Sequence, residues 1–118
     1  MKNTTNIYEA LYIVNSFHCA NAETGEVITA DDHGNISPAI GTKVVFPNPF
    51  NPDDKAVEVS ALIFKTNASP VKVQINNNEM YPLYIPANTV KGFDYMKVNH
   101  FTVLEGSQFY VEGLSSET

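Results

Sequence analysis

The spacing of apolar residues is the feature that most limits the fold of this chain. No window of about a dozen residues keeps the i, i+3, i+4, i+7 stripe of an amphipathic helix, because proline or glycine interrupts most candidates. Apolar and polar residues instead alternate in segments 57–61 and 71–75. Alternation places one row of side chains against a core and the other in water. Both segments are therefore predicted to be β-strands.

Other short segments rich in β-branched and aromatic residues predict further strands at 7–16, 26–29, 42–46, 80–85, 94–98, 100–104 and 108–113. Asparagine tolerates positive φ, so the asparagine-rich residues 76–79 predict a hairpin turn before the strand at 80–85. Pro82 has no amide hydrogen, which favours an edge position or a bulge for that strand. Short strands spaced about 8 to 12 residues apart are typical of all-β folds. We predict an antiparallel β-sandwich or jelly-roll-like fold with little or no helix.

The length of 118 residues fits one domain, and we predict a single β domain over 1–118. Three prolines within six residues predict an extended loop at 47–54, and the polar residues 115–118 predict a short loose tail. Apolar runs fall far short of the roughly 20 residues that span a bilayer. The N-terminal residues lack the apolar stretch of a signal peptide, so we expect synthesis in the cytoplasm without export or membrane attachment.

The charge balance argues against nucleic acid as a partner. The formal net charge is −6, and all seven basic residues are lysines scattered along the chain. Arginine, the side chain best suited to binding phosphate through two hydrogen bonds, is absent. A nucleic-acid interface requires a basic face. We therefore expect no nucleic-acid binding.

Catalytic and metal-binding motifs are weak in this sequence. His18, His33 and His100 have no ligand spacing typical of zinc sites, and Cys19 beside His18 is expected to be a small core residue. Segment 31–35 has the residue types of a calcium loop but the wrong ligand order, which favours a solvated turn. The chain lacks a glycine-rich phosphate loop and a Gly-x-Ser-x-Gly turn. We predict a protein that is not an enzyme and needs no cofactor.

The proline-rich loop contains the candidate partner-binding residues, Pro47, Pro49, Phe50 and Pro52. Prolines reduce the conformational entropy that a loop loses on docking, so such a loop suits insertion into a protein partner. An equally weighted alternative is that Phe50 folds back onto the sheet. The aromatic residues of the C-terminal half are expected to lie mostly in the core, with one or two exposed.

Segments 71–76, 84–88 and 100–113 together resemble small structural proteins of tailed bacteriophages. The shared features are a strand that ends in asparagine, an Ile-Pro step and a final strand pair that closes on glycine. The resemblance covers roughly the last 45 residues and includes no catalytic signature. It implies a compact β-sandwich that is made in the bacterial cytoplasm and becomes part of the virion.

The resemblance leads us to expect a capsid decoration protein, also called an auxiliary or cement protein, at a repeated site on the particle. Its partners would be other virion proteins such as the major capsid protein, with many copies per particle or a homo-oligomer. A collar or head–tail ring component is the alternative within this class. From another class, a carbohydrate-binding module would use exposed tyrosines on a sheet face. A small jelly-roll enzyme with a metal held by His33 or His100 is a third expectation.

Overall fold

The computed structural model describes residues 12–51, 53, 55–94 and 96–115. Its helical content is one short 3-10 turn, Ser16–His18, within this described part. The strands of the described residues are β1 (Tyr12–Asn15), β2 (Cys19–Asn21), β3 (Val27–Ile28), β4 (Lys43–Val45), β5 (Ala61–Thr66), β6 (Val71–Ile75), β7 (Leu83–Ile85), β8 (Val90–Phe93), β9 (Phe101–Glu105) and β10 (Phe109–Ser115).

The strands form two antiparallel sheets packed face to face, which confirms the predicted β-sandwich. The four-stranded sheet has the order β1-β10-β5-β8, and the six-stranded sheet has the order β3-β2-β4-β9-β6-β7. The strand β7 lies at a sheet edge, as predicted from the missing amide hydrogen of Pro82. It pairs with β6 across the predicted hairpin. The hairpin loop is longer than expected, because Met80, Tyr81 and Pro82 precede the strand instead of belonging to it.

The core lies between the sheets, and its centre is a cluster of three fully buried phenylalanines. Phe64 and Phe109 come from the four-stranded sheet, and Phe101 comes from the six-stranded sheet. The Phe64 ring centroid lies 5.5 Å from that of Phe101 and 6.0 Å from that of Phe109. Aromatic rings at these separations add to the free energy gained by burial. This cluster therefore joins the two layers.

The predicted strand at 57–61 is wrong in its position. Val57 and Val59 are buried as their alternation predicts, but Val59 forms only an isolated bridge with Val98. The Ser60 amide then donates to the Leu114 carbonyl, and the ladder with β10 begins one residue later, at Ala61. Burial alternates before the backbone joins a sheet, so periodicity alone places this strand about four residues too early.

The predicted strand at 94–98 is also wrong, since β8 lies earlier, at Val90–Phe93, and Val98 makes only the bridge to Val59. The last two strands, β9 and β10, do not pair with each other as the resemblance implied. They belong to different sheets, and the chain crosses between the sheets at Gly106. Gly106 has φ +119°, and a Cβ there would lie 2.8 Å from Val71 Cγ2. Glycine is therefore required at this crossing.

Three predicted segments are described only in part. The strand predicted at 7–16 is present as β1, while 7–11 lie outside the described residues. Of the predicted tail, Ser115 is the buried last residue of β10, and 116–118 lie outside the described residues. The loop at 47–54 is free of strand in its described residues, which leave out 52 and 54.

Candidate docking site beside the proline-rich loop

The proline-rich loop follows β4 and passes beside the edge strand β3. An open groove of about 410 Å³ lies between them. Its lining residues come from three separate parts of the chain: Phe17, His18, Cys19, Val27, Pro47, Asn48 and Pro49. Phe17 is 51% exposed and Val27 is 74% exposed, which is unusual for large apolar side chains that lie together. We call this feature the proline groove.

The buried Asn48 side chain stabilises the conformation of the proline-rich loop. It is only 7% exposed, and its Oδ1 accepts hydrogen bonds from the amides of Phe50 (2.9 Å) and Asn51 (3.3 Å). An asparagine that bonds the backbone two residues further on stabilises a tight turn. The loop is therefore fixed by a buried side chain as well as by its prolines.

Phe50 lies outside the groove and contacts the other sheet. Its ring meets Tyr12 of β1 edge-to-face, with centroids 5.0 Å apart and an interplanar angle of 82°. The Phe50 side chain is nonetheless 67% exposed. The two interpretations of Phe50 are thus compatible, because one edge of the residue folds back onto the protein while most of its surface stays accessible.

The 3-10 turn Ser16–His18 places Phe17 at the groove. Its N-cap is Asn15, whose Oδ1 accepts from the Phe17 amide at 2.9 Å. The buried Ser16 hydroxyl bonds to Val111 of β10, accepting from its amide at 2.7 Å and donating to its carbonyl at 3.1 Å. Ser16 therefore ends the β1–β10 ladder with side-chain bonds. The chain then turns away and enters the six-stranded sheet.

The turn at 31–35 packs against the Phe17 side chain. Gly34 has φ +81°, and a Cβ there would lie 3.0 Å from Phe17 Cε2 and 2.8 Å from Tyr110 Cδ1. Asp31 Oδ1 accepts from the amides of His33 (2.8 Å) and Asn35 (2.9 Å). These bonds, the one from Asn35 first, hold the pKa of the Asp31 carboxyl below its usual value. The carboxylate is engaged by its own backbone, as expected for a turn.

His18 and Cys19 are the titratable side chains that line the groove, and they face different surroundings. His18 is exposed, whereas Cys19 is 1% exposed and belongs to the core cluster, as predicted. Burial raises the pKa of the Cys19 thiol to about 12. The thiol therefore stays protonated at neutral pH, which makes it a poor nucleophile. His18 and Cys19 are not brought together as a catalytic pair.

The other histidines do not line the groove. His33 is exposed in the turn at 31–35, and His100 precedes β9, where its buried Nε2 atom lacks a hydrogen-bond partner among the described residues. The described residues contain no group of three or more side chains placed to hold a metal ion.

The structure brings together two of the four candidate residues. Pro47 and Pro49 line the groove, Phe50 lies beside it against Tyr12, and Pro52 is outside the described residues. Sequence reasoning missed Phe17, Val27 and Asn48. An asparagine directly before a proline was an available signal for Asn48, because this pair favours a turn. Phe17 and Val27 had no such signal, since only the sandwich brings them to the loop.

Exposed tyrosines lie elsewhere, around β7. Tyr81 is 71% exposed and Tyr84 is 49% exposed. Their rings do not contact one another in the described part of the chain, where the aromatic pairs join Tyr12 to Phe50 or core phenylalanines to each other.

Comparison with protein families, with curated proteins and with solved structures finds no match to this chain. Among the described residues, none of the helical segments has the length and hydropathy needed to cross a lipid bilayer.

Proposed function

We propose that this protein is a non-enzymatic structural component of a bacteriophage virion, and that it decorates the capsid by binding a repeated site on the particle. The observation that carries the proposal is the proline groove. It combines exposed apolar side chains with a loop whose shape is already fixed, and both features favour docking against another protein.

The groove is suited to a contact of modest affinity. Its exposed apolar side chains, Phe17, Val27 and Pro49, stand on a short turn, an edge strand and a braced loop. A braced loop loses little conformational entropy on binding, so more of the contact energy appears as affinity. On a particle, a chain that engages neighbouring sites gains further through effective concentration. A contact of low affinity can therefore be sufficient to occupy the repeated sites on the particle.

The same features serve a collar or head–tail ring component equally well, and the position within the virion is left to the experiment. A carbohydrate-binding module is the second candidate, and the exposure of Tyr81 and Tyr84 is the observation that favours it. A sugar-binding face needs aromatic rings arranged as a shared platform. We rank this candidate behind docking, because its support is the exposure of these two tyrosines alone.

The proposal is tested on tailed particles produced by the genome that encodes this chain. Particles are purified by density gradient, and the copies of the chain per particle are counted by quantitative mass spectrometry. We expect many copies per particle, and we expect purified chain to rebind particles that lack it. The variants Val27→Glu, in the groove, and Phe50→Ala, on the exposed loop beside it, are expected to reduce rebinding by about tenfold each, because both remove apolar contact area.

Met80→Glu is the matched control, since Met80 is 76% exposed and lies on the hairpin loop away from the groove. This variant should rebind like the unmodified chain. Absence of the chain from purified particles overturns the proposal. Binding to cello- or chito-oligosaccharides that is lost in Tyr81→Ala and Tyr84→Ala would support the carbohydrate-binding alternative instead. Equal loss of rebinding in all variants, Met80→Glu included, would remove the groove from the proposal.

A further inference from the structure

The edge strand β8 has a free side that is open to solvent. It pairs with β5 on one side only, as the last strand of the four-stranded sheet. Val90 is 66% exposed, and Lys91 and Gly92 are also exposed. Three successive exposed residues show that the described part of the chain leaves this edge uncovered. An uncovered edge presents backbone groups that can pair with another strand.

The hydrogen-bonding pattern identifies which residues of β8 present those groups. At the start of the ladder, the Thr66 amide donates to the Thr89 carbonyl at 2.9 Å. Antiparallel pairs alternate between hydrogen-bonded and non-hydrogen-bonded, so Lys91 and Phe93 direct their backbone groups toward β5. Val90 and Gly92 therefore direct their backbone N–H and C=O groups to the free side. Asp94, two residues further on, has the same orientation in this alternation.

Two side-chain features keep this edge accessible. Gly92 has no side chain at the middle of the strand, and glycine inside a strand often marks a close approach of another backbone. Lysine on an edge strand commonly prevents pairing. Here, however, the Lys91 ammonium is engaged elsewhere: it donates to the Tyr84 carbonyl at 3.3 Å and lies 5.5 Å from the Phe93 ring centroid.

We propose that β8 pairs antiparallel with β8 of a second copy of this chain about a two-fold axis, so that the two four-stranded sheets become one eight-stranded sheet. Gly92 lies at the axis opposite Gly92 of the second copy. This register joins the residues that direct backbone groups to the free side, and it places Val90 opposite Asp94 of the second copy. An identical patch on both copies is what two-fold symmetry requires.

Charge complementarity selects a second copy as the occupant of this edge. Lys65 of β5 is the cross-strand neighbour of Val90, on the same face of the sheet. In the proposed register Asp94 of the second copy lies next to Val90 on the same face of the sheet. Its carboxylate is then within reach of the Lys65 side chain. The two-fold symmetry produces this pairing of Lys65 with Asp94 twice in each dimer. In the single chain, the Lys72–Glu105 ion pair involves neither Lys65 nor Asp94.

The face that would continue across the axis is already apolar. A groove of about 240 Å³ on the outer side of the four-stranded sheet is lined mainly by Ile13, Ala61, Ile63 and Leu114, with Asp94 and Glu112 at its polar side. Ile63 lies beside Gly92, with its Cγ1 3.6 Å from the position that a Cβ on Gly92 would take. In the pair, Ile63 from each copy flanks the two glycines. The apolar row on this face therefore continues from one copy to the other across the axis.

The inference is tested by the solution mass of the full chain, measured by light scattering and sedimentation over micromolar to millimolar concentrations. We expect a reversible monomer–dimer equilibrium. Val90→Glu places a carboxylate opposite Asp94 of the second copy and is expected to weaken dimerisation by about fivefold or more. Val90→Lys places an opposite charge there and is expected to preserve or strengthen the dimer. Adding Asp94→Lys to Val90→Glu should restore dimerisation.

The monomer supplies an internal control, because Lys65 is the neighbour of Val90 within one chain. The isolated monomer should therefore show the opposite order, with Val90→Glu more stable than Val90→Lys. A chain that is monomeric at every concentration overturns the inference. A dimer that both variants weaken equally, or that neither variant changes, overturns it as well. Any of these results leaves the capsid-decoration proposal standing, since that proposal depends on a different surface.

Discussion

The Ser16 hydroxyl forms two hydrogen bonds with one residue on a distant strand. It accepts from the Val111 amide at 2.7 Å and donates to the Val111 carbonyl at 3.1 Å, and both residues are fully buried. The side chain thereby replaces the backbone partner that β1 would have supplied. This substitution lets the chain leave one sheet for the other without leaving a buried backbone group unpaired.

Replacing Ser16 with alanine should destabilise the protein by about 1–3 kcal/mol, because the Val111 amide and carbonyl would lose a partner in a dry environment. Urea unfolding measures the change. Ser60→Ala is the matched control, since the Ser60 hydroxyl makes a single exposed bond to the Leu114 carbonyl at 3.3 Å. Its cost should be clearly smaller. Equal costs for the two variants would contradict the role assigned to Ser16.

Asn48→Ala should loosen the proline-rich loop by removing the acceptor of the Phe50 and Asn51 amides. We expect a loss of about 1 kcal/mol, faster hydrogen exchange of those two amides and weaker Tyr12–Phe50 contacts in nuclear magnetic resonance spectra. Asn48→Asp keeps an acceptor and should largely preserve the slow exchange. If alanine leaves exchange unchanged, the prolines alone hold the loop.

Gly34→Ala should cost about 1–3 kcal/mol, because it combines a strained backbone with a collision against Phe17 and Tyr110. Gly25→Ala separates the two effects. Gly25 has a similar φ of +77°, but its added Cβ meets open space. Thermal unfolding should therefore show a smaller loss for Gly25→Ala. The reverse order would show that Phe17 and Tyr110 move aside without cost.

The Cys19 thiol should react slowly with a thiolate-dependent reagent at pH 8. Its pKa of about 12 in the folded protein leaves almost no thiolate, and its side chain is buried. Unfolding in guanidinium should bring the rate to that of a free cysteine. Because the folded-state pKa is raised, this group contributes to stability below the unfolded pKa of 9.0, and the contribution is lost as the pH rises toward 12. Rapid labelling of the native protein would contradict this assignment.

Stability should fall as the pH drops below about 6.5, in part because of His100. Burial, together with the nearby Lys43 charge, lowers the pKa of this imidazole despite an opposing backbone contact with Asn76. The unfolded chain then binds a proton that the folded chain does not, so acid favours unfolding. His100→Gln should flatten the stability profile between pH 7.5 and 5.5. A stability profile that His100→Gln leaves unchanged would contradict this prediction.

Local patterns in the sequence were sufficient where the backbone conformation depends on near neighbours. Strand β6 lies at the predicted residues 71–75, the hairpin follows where asparagine allows positive φ, and Asn76 has φ +51°. These features follow from side-chain alternation and from backbone sterics. The burial of Cys19 was likewise predicted from its residue type.

Tertiary pairing decided the features for which the sequence carried no signal. Val57 and Val59 alternate like a strand, yet the ladder starts at Ala61, because that is where the partner strand β10 becomes available. The candidate site has the same origin. Phe17, Val27 and Pro49 are far apart in sequence and lie together because the chain changes sheets where Ser16 bonds to Val111. Periodicity reports which side of a strand is buried, whereas the choice of partner depends on long-range packing and hydrogen bonding that no local window contains.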